Sequence, residues 1–224
     1  CVYSASGQFF ANETARGVPV TKGEPIGGAL PANVELYNIP VRDASGRAYR
    51  AAEMAEAIDR AVAEAHGAGK HTLVHVLHGS KTGLVVPHFD HIDALKARYG
   101  SAVSFIVDAC QARITSDAIG NYLARDCIVM LTGSKFMGGP PFSGFALVPQ
   151  GVIEAAAELP SGLTCIFRRA EWPADWPGAV QLPEEANLGL LLRLEASVFE
   201  LERFQAIPIA RVERVVLAFH AAVR

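Results

Sequence analysis

Between residues 72 and 148, short apolar runs rich in β-branched residues alternate with stretches whose apolar positions recur every three or four residues. Thr72–Leu77, Ala102–Val107, Cys127–Leu131 and Phe145–Val148 are too short for buried helices and are bounded by Gly, Ser or charged residues, so each predicts a strand. Ala51–Ala65 sets Met54, Ile58, Val62 and Ala65 on one helical face, and Gly67-Ala68-Gly69 ends that helix. Pro87–Tyr99, with Phe89, Ile92 and Leu95 facing inward, and Ser116–Arg125 predict two more helices. This alternation is that of βαβ crossovers. It predicts an α/β fold, a mainly parallel sheet with helices on both faces in three αβα layers.

The pattern is weaker at the two ends. Val2–Ala5 predicts a short strand turning through Phe9 and Phe10, and Gly17–Pro40 is a Gly- and Pro-rich loop holding one strand at Val34–Ile39. Beyond Gly151 a short helix at Val152–Leu159 and an edge strand at Cys165–Arg168 are expected. Glu-Trp-Pro-Ala-Asp-Trp-Pro-Gly at 171–178 excludes regular structure, and Leu188–Phe204 and Ile209–Val223 predict amphipathic helices.

Composition narrows the class. Half the residues are apolar and 19% are charged, which suits a globular domain with a substantial core, and a net charge of −3 gives no reason to expect nucleic acid or an anionic membrane as partner. Cys1, Cys110, Cys127 and Cys165 show no Cys-x-x-Cys spacing and read as reduced thiols of a cytoplasmic protein. No run is long enough for a membrane span and no signal peptide opens the chain. A chain that starts at Cys1 and runs straight into a strand pattern is expected to be an excerpt.

Chemistry concentrates at two strand ends, Val107-Asp108-Ala109-Cys110-Gln111 and Leu131-Thr132-Gly133-Ser134-Lys135. In an open α/β sheet, ligands bind outside the carboxyl ends of the strands. An amine set among Gly, Ser and Met and partly desolvated suits Schiff-base work, and a carboxylate at Asp108 would keep a pyridine nitrogen protonated. Gln111, at the start of the next helix, would bond a ring hydroxyl, and Thr132 and Ser134 offer hydroxyls to a phosphate. The set is a candidate site for pyridoxal 5′-phosphate. The plainer readings are a solvated loop lysine and a helix-capping aspartate.

Other motifs carry less. Ser80-Lys81-Thr82-Gly83 is no Walker loop, because the glycines that loop requires are missing, and no Ser-x-x-Lys joins Lys81-Thr82-Gly83 to make a penicillin-binding pattern. His88 and His91 could share a helix face, but only Asp90 and Asp93 lie near. His75 and His78 point to opposite faces of a strand, so no metal is expected.

The order Asp-Ala-x-Gln, then Thr-x-Ser-Lys, then the Gly138-Gly139-Pro140 turn and a further strand resembles the class V aminotransferases, fold-type-I pyridoxal phosphate enzymes that include cysteine desulfurases and kynureninases. The resemblance runs through the whole chain and is tightest over His75–Gly144. It implies that residues 1–224 form the large, cofactor-binding domain, with the N-terminal phosphate-binding part and the small C-terminal domain outside them. It implies Lys135 as the covalent cofactor anchor, Asp108 at the pyridine nitrogen, Gln111 at the ring hydroxyl and Thr132 at the phosphate. It further implies Phe9 stacked on the ring, Ser80 in a loop over it, Phe145–Val148 as an antiparallel strand, and a homodimer acting on an amino acid as an aminotransferase, lyase or desulfurase. Ser134 stands where many members carry His, and Ser80 where desulfurases carry Asn, which leaves the reaction type open. The alternative is a non-catalytic doubly wound domain that binds a nucleotide or a protein partner.

Overall fold

The structure, a computed structural model, describes residues 35–165 and 167–223. The expected strand at Val2–Ala5 and the candidate ring partner Phe9 lie outside them. The chain divides into two compact units, one formed by Ile39–Pro149 with Leu188–Arg224, the other including Gln150–Asn187.

The first unit holds helix α1 (Ala51–Gly67), strand β1 (Thr72–His78), β2 (Val85–Val86), α2 (Phe89–Tyr99), β3 (Val103–Asp108), α3 (Ser116–Leu123), β4 (Ile128–Thr132) and β5 (Gly144–Leu147). The five strands form one sheet in the order β2-β1-β3-β4-β5. β1, β3 and β4 run parallel, while β2 and β5 are antiparallel edges. The expected mainly parallel α/β sheet is present, with its antiparallel strand at β5. The pair β1–β2 is an addition, because Val85 and Val86 are too few to show a period.

Burial alternates along the parallel strands and settles which face is the core. Val74, Val76, Phe105, Val107, Val129 and Leu131 are buried in register with one another and pack in one cluster with Met54, Ile58 and Val62 of α1, Ile92 and Leu95 of α2 and Tyr122 of α3. The opposite face carries Leu73, half exposed, and His75, exposed, followed by the partly covered Ile106, Asp108 and Met130. Asp108 therefore projects away from the main core, on the side where polar atoms find solvent or ligand.

Several boundaries differ from the sequence expectation for local reasons. α2 starts at Phe89, because His88 ahead of it is in extended backbone, at φ −75° and ψ 164°, and serves as its N-cap. α3 starts at Ser116 as expected, capped by Thr115 Oγ1, which accepts from Ala118 N at 3.2 Å, and ends at Leu123, two residues short of the expected end. Residues 35–39 form no strand, and Leu36 and Tyr37 are exposed.

In the second unit, helix α4 (Gln150–Glu154) is shorter than expected, and Cys165–Arg168 yields no strand among the described residues. A 3-10 turn at Ser161–Cys165 takes that place, since Leu163 N donates to Pro160 O and Phe167 N to Leu163 O, both at 2.9 Å, closing the chain on itself. Trp172 lies edge-on between Phe167, with ring centroids 5.4 Å apart, and Trp176, 4.9 Å apart. With Leu159, Leu163, Ala179 and Leu182 these rings form a small core of their own.

Two helices complete the first unit, α5 (Leu188–Gln205) and α6 (Ile209–Ala222). Both match the predicted amphipathic stretches. No helix among the described residues is long and apolar enough to cross a membrane.

Candidate functional site at the ends of two parallel strands

β3 and β4 pair in parallel with Asp108 opposite Met130, so Thr132, two residues beyond Met130, emerges on the same face of the sheet as Asp108. Both are half-buried. The first step out of each strand is tied to the other, because Ala109 N donates to Met130 O at 3.0 Å.

After β3 the chain turns at once. Cys110 N donates to Asp108 Oδ1 at 3.0 Å and Ala112 N to Ala109 O at 2.7 Å, with Ala112 at φ 53°. Gln111 thus sits in a tight turn five residues ahead of α3, not at the helix start that its spacing suggested. Asp108 caps this turn rather than the helix, which Thr115 caps. Burial, and then the Asp108 carboxylate, push the Cys110 thiol up to about 11, while the Lys135 charge pulls the other way.

After β4, Thr132 Oγ1 and Ser134 Oγ lie 2.9 Å apart, and Ser134 N donates to Thr132 Oγ1 at 3.3 Å. The next residues form a compact loop. Gly138 N donates to Lys135 O at 2.9 Å, Gly139 N to Gly133 O at 2.8 Å, and Gly133 N to Ser143 O at 2.9 Å. Gly138 has a φ of 79°, which suits a residue without Cβ. Gly133 and Met137 are buried while Lys135 and Phe136 are exposed, so the loop lifts the lysine outward on its crest. The partial desolvation expected for Lys135 is not found: its two flanking anchors turn inward and the amine goes to the surface.

Ser80 lies in the neighbouring loop after β1, and Gly79, at φ 67°, brings that loop against Arg113, whose carbonyl oxygen would lie 3.1 Å from an added Cβ. The Ser80 hydroxyl is occupied within its own turn, accepting from Leu84 N at 3.1 Å. Behind β1, on the core side, His78 Nδ1 and Tyr122 Oη are 3.0 Å apart. Burial raises the Tyr122 phenol to about 12 and lowers the His78 imidazole.

No family model, curated protein or solved structure matches the chain. What the site can hold therefore follows from its atoms. A carboxylate at one strand end and a hydroxyl pair at the next emerge on one face, and a primary amine follows three residues beyond; by donor type these residues fit what a pyridoxal phosphate ring, its phosphate and its aldehyde would use. Among the described residues no three His, Cys, Asp or Glu side chains converge as metal ligands. The sequence reading missed Ser143 and Ser197, both buried beside the loop. The signal that could have found Ser197 is the small pair Ala196-Ser197 midway along the predicted helix at 188–204.

Proposed function

We propose that this chain is the cofactor-binding domain of a pyridoxal 5′-phosphate enzyme of the class V aminotransferase type, in a three-layer fold-type-I arrangement, acting on an amino acid. The observation that carries the reading is the emergence of Asp108 and Thr132 on one face at the ends of adjacent parallel strands, with Lys135 three residues beyond Thr132 and antiparallel β5 next in the sheet. When bound, the cofactor supplies an electron sink for a carbanion at the substrate α-carbon. Asp108 keeps a proton on the ring nitrogen and Gln111 bonds the ring hydroxyl. The Thr132 and Ser134 hydroxyls receive the phosphate. Lys135 anchors the cofactor covalently and, once substrate displaces it, carries the α-proton as acid and base.

The Cys110 thiol, held at about 11, is protonated at neutral pH, so it is a poor nucleophile for desulfurisation. This favours aminotransferase or lyase chemistry over a desulfurase using that cysteine. A homodimer belongs to the same reading, and the apolar side chains that α5 and α6 leave exposed support it.

Adding pyridoxal phosphate to the purified chain is expected to give an absorbance band near about 420 nm that is fixed by borohydride onto Lys135 and is lost in Lys135→Ala. A chain that stays colourless, or one whose band survives Lys135→Ala unchanged, returns the protein to a non-catalytic α/β domain binding a nucleotide or a protein.

A further inference from the structure

Helix α5 is exposed along most of its length, and Ser197 is its one buried residue among those described. The Ser197 hydroxyl donates back to Arg193 O at 2.8 Å, so it offers the loop beneath it a small, satisfied surface and no further hydrogen bond. That loop is the one carrying Lys135. A Cβ built on Gly133 would overlap Ser197 Oγ and Cβ, and one built on Gly139 would overlap Ser197 Oγ and come within 2.6 Å of its Cβ and 2.8 Å of its Cα. Two glycines, one on each side of Lys135, thus form the seat of a single serine.

The neighbouring contacts continue the same stripe. Arg193 Nε donates to Phe142 O at 3.1 Å. A Cβ on Gly138 would lie 4.0 Å from Glu200 Cβ. Phe204 meets Phe136 edge-on, with centroids 5.3 Å apart. Residues 193, 197, 200 and 204 follow the i, i+4, i+7, i+11 spacing of one helical face, and all four act on residues 133–142. The loop has no strand on its own account. Its hydrogen bonds close its base, and α5 fixes its height and tilt.

We propose that Ser197 is a positioning residue for Lys135, setting through the Gly133–Gly139 seat where the amine stands relative to Asp108; this rests on reading Lys135 as the cofactor anchor. A serine is small enough to let both glycine backbones close on the helix, and a larger residue would hold them apart. Movement of α5 along its axis would carry the amine with it.

The test uses the whole chain with Gly133→Ala, Ser197→Gly, Ser197→Val and the Gly133→Ala/Ser197→Gly pair. The readout is the borohydride-trapped pyridoxal phosphate adduct at Lys135, measured by peptide mass spectrometry against the exposed Lys81 as internal reference. Gly133→Ala and Ser197→Val are expected to lower the Lys135 adduct about tenfold relative to Lys81, and the paired substitution to recover most of it, because the two closest atoms, Ser197 Oγ and Cβ, are then gone and the next nearest is Ser143 Oγ at 3.0 Å. A wild-type ratio in both single variants, or a pair no better than Gly133→Ala, overturns the proposal. If Gly133→Ala does not fold, Ser197→Val alone decides.

A wild-type chain without preference for Lys135 defeats the cofactor reading by itself. Ser197 is then judged on the cofactor-free chain, where the Gly138 and Gly139 amides should exchange about tenfold faster in Ser197→Gly if the helix seats the loop. Unchanged exchange there overturns the seat as well.

Discussion

His78 ends the first parallel strand half-buried, its ring beside the Tyr122 hydroxyl, and burial holds its pKa below the usual 6.5. The folded chain therefore resists a proton that the unfolded chain accepts. The stability this neutral imidazole confers is complete above about pH 6.5 and is lost as pH falls from there toward the lowered folded value. Urea midpoints measured between about pH 7.5 and 5.5 should drop for the wild type and drop less for His78→Gln, and equal slopes would refute the assignment. The same contact shows what single residues disclose before folding. The strand ends that carry Asp108 and lead to Lys135 were legible because each closes a short apolar run. Tyr122 was not, since one tyrosine in a predicted helix looks like any other partly apolar residue, and its role depends on a histidine 44 positions away. Gln111 and the exposure of Lys135 were misjudged for a related reason: a tight turn and a loop crest are set by a few hydrogen bonds that residue type does not encode.

At the scale of elements, period and punctuation did most of the work. Val74, Val76, Phe105, Val107 and Val129 fall on one face because strands alternate, and the one-sided burial of β1 follows from His75 interrupting its apolar run. Strand ends slipped by a residue, as at Asp108 and Thr132, because a polar side chain at the last ladder position still pairs through its backbone. Edge elements failed where too few residues carry a period, as at Val85–Val86, or where local turns consume the backbone donors, as at Ser161–Cys165. α3 shows how a short helix survives: eight residues begin at a threonine whose hydroxyl takes one of the free amides. Thr115→Ala is expected to cost about 1 kcal/mol in denaturant unfolding, with Thr115→Asp close to neutral. A loss below about 0.3 kcal/mol for the alanine variant would mean that tertiary packing alone holds the helix.

Across the whole chain, the sheet order β2-β1-β3-β4-β5 brings residues far apart in sequence to one edge of the sheet, through the parallel βαβ crossovers that the strand-helix alternation already implied. What alternation cannot tell is what covers an amphipathic helix once it has formed. On α6, Val215, Val216, Leu217 and Phe219 are each more than half exposed, and on α5 so are Leu192 and Phe199. Water contact over a face of this kind is costly at roughly 25 cal/mol per Å², and specific partners bury about 800 Å² a side. The surface is therefore expected to self-associate. Sedimentation velocity at micromolar concentration should show the wild-type chain above monomer mass, and Phe199→Glu with Leu217→Glu should return it to monomer while leaving the far-ultraviolet spectrum unchanged. Phe199 is two positions from Ser197, on the other side of α5, and Leu217 is on α6, so the Lys135 adduct should survive in the monomeric variant. A wild-type chain that runs as a monomer despite these exposed faces would refute the association, and with it the support α5 and α6 lend to a dimer.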